Sequence, residues 1–161
     1  MLPKLLLIGL LGLSPNVFAQ KSHELGDPSR KINVSLVVDE EMGGRTISQY
    51  VGKSDNYLLN RLMQQDIATA STFVDVETAQ KAVNEVIAIN RQAIANWWIS
   101  TSPRQAFSAT VNTKARMISR YLFEKHGRST RSREISETKV RVILVKKDDH
   151  WFVLLAYPDP Q

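Results

Sequence analysis

The chain has 161 residues, a net charge of +5 and no cysteine. That length suits one domain with a single core. The missing cysteines exclude disulfide staples, thiol catalysis and cysteine metal sites, so the core must hold the fold unaided.

Residues 1–19 are predicted to be a secretory signal peptide. Lys4 supplies a positive start, and Leu5 to Leu13 is apolar except for Gly9 and Gly12. Ser14 and Pro15 end the run, and Val17-Phe18-Ala19 presents a cleavage site before Gln20. An apolar run from Leu5 to Leu13 is about half the ~20 residues that span a bilayer, and no cysteine follows for lipid attachment. The expected product is exported, periplasmic or secreted, with no stable membrane anchor after cleavage between Ala19 and Gln20.

Residues 20–38 begin as a polar lead with Gly26, Asp27 and Pro28, and 39–161 form the expected domain. Ile32 to Val38 suits a short strand or part of a helix. Met42-Gly43-Gly44 predicts a turn, and Thr46 to Val51 a short helix closed by Gly52. Ser54 is the expected N-cap of a helix to about Gln65, with Leu58, Leu59 and Leu62 on one side. Thr69 to Val74 has strand composition. Asp75 then caps the longest predicted helix, Val76 to Ile99, whose apolar residues recur at three- and four-residue spacing. One of Trp97 and Trp98, at its end, must face outward or cap the sheet.

Phe107 to Val111 suits a strand, Met117 to Phe123 is apolar at mixed spacing, and Gly127 to Glu134 reads as a basic loop. Lys139 to Val145 and Trp151 to Tyr157 predict a hairpin turning at Asp148-Asp149. Helices lead and a hairpin closes the chain, an α+β pattern.

Charge is uneven. Lys114 to Lys147 carry eleven Lys/Arg against Glu124, Glu134 and Glu137, whereas residues 20–113 carry nine basic and ten acidic side chains. Such a block attracts phosphate backbones or anionic surfaces. Its candidate anion-binding residues are Arg128, Arg131, Arg133 and Arg141.

Several short pieces in order carry a family resemblance. They are Gly43-Gly44-Arg45-Thr46, Val51-Gly52-Lys53-Ser54 with Leu58, Leu59, Arg61 and Leu62, and Ala70-Ser71-Thr72-Phe73 with Asp75. Ala79, Asn90, Ile94 and Trp97 follow, then Val140-Arg141-Val142-Ile143-Leu144 and Ala156-Tyr157-Pro158. From Gly43 to Pro158 the chain resembles the bacterial RNase A-like toxin domain of CdiA-type contact-dependent inhibition proteins.

The resemblance implies a single RNase A-like domain that needs no cofactor or metal and cleaves RNA through a 2′,3′-cyclic phosphate. That reaction requires a base, an acid and a cationic group for the charged intermediate. At the family's catalytic histidine this chain has Tyr50, and at its common threonine Leu155. A second common histidine is Arg45. The family's arginine is matched by Arg61 and its tyrosine by Tyr157. A cation and a phenol are therefore kept while imidazole and hydroxyl are lost. A phenol near pKa ~10 is a poor base at neutral pH. Lys53 is expected near a helix N-terminus, where an anion could sit.

His23, His126 and His150 are the three histidines, and none is spaced with another like a metal pair. Two functions fit. One is a catalytically degenerate domain that binds RNA, another anion or a protein partner. The other is an active ribonuclease toxin using Tyr157, Arg61 and His126 with a non-standard acid/base centre.

Overall fold

A computed structural model describes residues 34–160. The predicted signal peptide and most of the polar lead lie outside the described residues. Three helices come first: α1 (Leu36–Glu41), α2 (Thr46–Tyr50) and α3 (Asp55–Gln64). Strand β1 (Thr69–Phe73) is followed by α4 (Val76–Ile89) and α5 (Arg91–Trp98). Then come β2 (Arg104–Ser119), α6 (Arg120–His126), a 3-10 turn (Gly127–Ser129), β3 (Arg133–Lys147) and β4 (His150–Pro158). The strands form one antiparallel four-stranded sheet in the order β1-β2-β3-β4. The architecture is α+β, as expected.

The caps act where the sequence placed them. Ser54 accepts from Tyr57 N at 3.3 Å and Asp75 from Thr78 N at 2.7 Å, each occupying an orphan N–H of the first turn. Of the Ile32 to Val38 stretch, the described residues 34–38 lead into a helix: Val34 and Leu36 are buried, and Ser35 caps α1.

Three expectations need correction. The long helix from Val76 to Ile99 is two helices, broken at Asn90. The Asn90 carboxamide donates to Val86 O at 2.9 Å and to Ser108 O at 3.3 Å, so it competes with the helix ladder and ties the break to β2. Strand β2 extends well beyond Phe107 to Val111, because its outward positions are Ser, Thr, Asn and charged residues that hide the alternation. The Met117 to Phe123 run divides at Ser119, which ends β2 and caps α6. The basic loop is consequently shorter than expected, and Arg133 already belongs to β3.

The main core lies between α4, α5 and the sheet, with Val83, Val86 and Ile94 against Val111, Val140 and Leu144. Trp97 is buried there edge-on to Phe107, whereas Trp98 is half-buried, so the tryptophan pair divides as anticipated. A second cluster seats Leu58, Leu59 and Leu62 of α3 on Ala70 and Ile118. Each such aliphatic side chain, fully buried, contributes roughly 1.5–3 kcal/mol.

Strands β1 and β4 are the sheet edges, yet Ser71 Oγ donates to Pro158 O, so the sheet curls until its two margins meet. The outer edge of β4 is covered by the chain around α1 and α2. Between the pairs Ile143↔Leu155 and Leu144↔Val153, Leu154 is an extra residue, a bulge. Its carbonyl accepts from Arg45 N at 2.9 Å. Val153 N donates to Asp39 Oδ2 at 3.1 Å, and Ala156 N to Thr46 Oγ1 at 2.9 Å. An otherwise open strand edge is thereby satisfied.

Gly44 is required by this approach. A Cβ there would lie 2.6 Å from Asp39 O and 2.7 Å from Val153 O, both backbone atoms. Gly44→Ala is expected to lower unfolding stability by about 1–3 kcal/mol, the cost of overpacking, as read from urea denaturation. A change within a few tenths of a kcal/mol would show that this contact is not a constraint.

Candidate functional site

Tyr50 ends α2 where the chain turns against β1. Thr72, fully buried, donates its hydroxyl to Tyr50 O and accepts from Lys53 N, both at 3.1 Å. Gly52 N donates to Phe73 O at 2.9 Å, and its φ of +64° falls in the left-handed region that favours glycine. The Val-Gly-Lys turn is therefore locked to the sheet, and Tyr50 with it.

Tyr50 is buried, 8% exposed. It stacks on Tyr157 of β4, with centroids 5.1 Å apart and planes 24° from parallel. The Arg61 guanidinium carbon lies 4.8 Å from the Tyr50 centroid. Arg61 Nη2 also donates to Tyr50 Oη at 3.3 Å and to Gln65 Oε1 at 3.2 Å. Guanidinium and two phenols form one contiguous group. A cation–π contact of this kind is worth roughly 0.5–2 kcal/mol, depending on exposure.

Burial pushes the Tyr157 hydroxyl above the ordinary tyrosine value, opposed by the positive charge of Arg141 directly across the strand pair. At neutral pH Tyr157 is thus a hydrogen-bonding phenol and not a base. A cavity of about 330 Å³ opens on the group, lined by Tyr50, Arg61, Thr69, Ser71, Tyr157 and Asp159 among others. Leu155 sits on the same strand opposite Ile143 and is half-buried, but it does not line this cavity.

The structure therefore brings together Tyr50, Arg61 and Tyr157, sets Arg141 across from Tyr157, and leaves the other candidates apart. Arg45 is exposed at the start of α2. Lys53 Nζ stands 5.4 Å from the Tyr57 ring centre, in the first turn of α3 as expected. Arg128 and Arg133 reach the sulfurs of Met63 and Met117, each at 3.6 Å, and Arg131 leans on the carbonyls of Ser129 and Thr130. His126 is exposed at the end of α6, and His150 Nδ1 is 3.3 Å from Asp149 in the hairpin turn. Neither imidazole lines the cavity. Among the described residues, no three His, Asp or Glu side chains converge to hold a metal ion.

Part of the basic block is structural, which charge counting could not show. Arg120 donates to the carbonyls of Leu62, Gln65 and Ile67 at 2.6–2.9 Å, closing the C-terminal end of α3. Lys146 donates to Ser100 O at 2.6 Å and lies over Trp97 and Trp98. Arg116 donates to Lys53 O and faces Asp55 at 3.5 Å.

Asp55 pins the basic segment to α3 by accepting from Ser132 Oγ at 2.5 Å and Ser132 N at 3.2 Å. The Ser132 hydroxyl, aided by Arg116 and Arg131, holds its carboxyl below the usual Asp value. A depressed carboxylate stabilises the fold at neutral pH, and the effect is lost as pH falls through the lowered pKa. Asp55→Asn should cost about 1 kcal/mol at neutral pH, and wild type and variant should converge in acid. Urea melts across this range test the sign; a gap that widens in acid would refute it.

The model of the bacterial CdiA-CT RNase A domain family matches residues 44–158. Among solved structures, the chain is similar to one from a CdiA-CT/CdiI complex of Y. kristensenii 33638, with a TM-score of 0.57 and 24% identity. The match covers 73% of this chain and 100% of that one, a likeness of fold. No curated protein gives a significant match.

Proposed function

The chain belongs to the bacterial CdiA-CT RNase A domain family, and from that membership we propose that it is an exported, catalytically degenerate member that binds RNA or a similar polyanion without cleaving it. One observation carries this reading. Where the family resemblance puts the catalytic histidine, the Tyr50 phenol is stacked on Tyr157 and takes a hydrogen bond from Arg61.

Cleavage by the 2′-hydroxyl needs one group to accept a proton and another to give one near neutral pH. Imidazole does both, whereas a phenol near ~10 does neither readily. Arg61 still offers a planar fork of donors to a phosphate, and Tyr157 a neutral hydroxyl. The groups for binding persist and the groups for proton transfer do not.

A protein partner is the second reading. The similar Y. kristensenii domain was solved in complex with CdiI, and the exposed Arg128, Arg131 and Arg133 lie apart from the cavity.

Incubation with unstructured RNA in EDTA is expected to give no 2′,3′-cyclic phosphate ends, while RNA binding weakens steeply with salt. Cyclic ends that vanish in Arg61→Ala would overturn the proposal in favour of the active toxin. Tyr50→His combined with Leu155→Thr is expected to introduce measurable cleavage. A folded but inert double variant would count against an inherited catalytic scaffold.

A further inference from the structure

A cleft of about 580 Å³ lies between the start of α4 and the β2–β3 pair, walled chiefly by Asp75, Glu77 and Lys81 on one side and Thr113, Lys114 and Ser136 on the other. It shares no residue with the cavity at Tyr50, Arg61 and Tyr157. A bulge in β2 shapes it. Between the pairs Asn112↔Glu137 and Ala115↔Ile135, Thr113 and Lys114 stand opposite Ser136 alone. Lys114 O accepts from Val74 N at 3.3 Å, which holds the bulge beside the Asp75 cap.

Thr113 is 6% exposed, and its hydroxyl has no hydrogen-bond partner among the described residues. A buried hydroxyl left unpaired costs stability, a cost that valine, of the same shape, would avoid. The charges around it have both signs. Asp75 spends one oxygen on the Thr78 amide, and that bond holds its carboxyl below the usual Asp value, with Lys81 and Lys114 adding to the effect. Glu77 and Lys81 bond each other at 2.6 Å. Lys114 is exposed and makes no side-chain hydrogen bond or ion pair among the described residues.

Simpler ligands fit these walls poorly. A polyanion would meet Asp75 and Glu77, a metal ion would meet Lys81 and Lys114, and an apolar molecule would find no aromatic ring. We propose that this cleft binds a zwitterion, an α-amino acid or short peptide with both ends charged. The ligand carboxylate takes the Lys114 ammonium and the Thr113 hydroxyl, and its ammonium faces the second Asp75 oxygen and Glu77. Charge-assisted hydrogen bonds of both kinds are stronger than neutral ones. A ligand of net charge zero also keeps the balance of two acids and two lysines that line the cleft. The volume is within the range of small-ligand sites. The inference is independent of the RNA reading, which concerns the Arg61 cavity.

Amide NMR shifts of Val76, Glu77, Thr113 and Lys114 in the isotope-labelled protein, titrated with alanine, dialanine and trialanine, test it. A saturable response with a Kd on the order of 1 mM is expected for at least one of the three, the scale for a ligand of about ten non-hydrogen atoms. The tightest of them tells a free amino acid from a peptide. Its N-acetylated and C-amidated forms should each bind about tenfold more weakly, the loss of one charge-assisted bond. Thr113→Val should weaken binding about tenfold while its melting temperature stays level or rises. Lys114→Gln, on the exposed rim, should weaken it to a similar degree. Undiminished binding of the amidated form would make the cleft a cation site, and of the acetylated form an anion site; either overturns the zwitterion. So would no response to any of the three, or a response to phosphatidylethanolamine vesicles alone. A lowered melting temperature in Thr113→Val with binding intact in Lys114→Gln would overturn it too, by showing that the hydroxyl serves the fold.

Discussion

The bonds along the outer edge of β4 are what the site depends on. Asp39, Arg45 and Thr46 bond Val153, Leu154 and Ala156 across separations of up to 114 residues. They hold α2 against β4, and α2 ends in Tyr50. They act together with the Thr72 and Phe73 bonds that hold the Val-Gly-Lys turn on β1 to bring Tyr50 to Tyr157. The bulge at Leu154 makes the arrangement possible, because a regular edge would not offer these groups at this spacing. The Gly-Gly-Arg-Thr sequence is thus first a docking device for the strand, and Gly44 is its tightest point.

On the proposed reading, a phenol in place of imidazole changes the cleft in two ways. It removes the group that titrates near neutrality, and it fills the space with an aromatic ring that pairs with another ring and with a guanidinium. Arg61 is thereby partly engaged within the protein, yet it still borders the cavity. The group as it stands offers donors and aromatic surface. Ligand recognition is what such groups do well.

Much of this was legible in order along the chain. Ser54 and Asp75 announced their helices through cap chemistry, and the Asp148-Asp149 hairpin through alternation around a turn. The trio of Tyr50, Arg61 and Tyr157 could be named because family motifs fixed their spacing. What was hidden depended on tertiary partners. Asn90 breaks a helix because Ser108 is waiting for its amide. The length of β2 is concealed because one of its faces is polar. Arg116, Arg120 and Lys146 look like free charge in the sequence, but their partners are carbonyls and rings far away in the chain.

The curled sheet also governs how the domain comes into being. Ser71 and Pro158, whose bond joins the sheet margins, are 87 residues apart, so the margins can meet only after β2, β3 and β4 are aligned between them. Such non-local closure is slow compared with helix formation. The hairpin of β3 and β4 and the helix α4 can form early from nearby residues, whereas the cleft is among the last features to be assembled. A chain synthesised from its N-terminus holds Arg61 and Tyr50 long before Tyr157 exists to complete them, and the recognition surface is delayed until the final strand is in place.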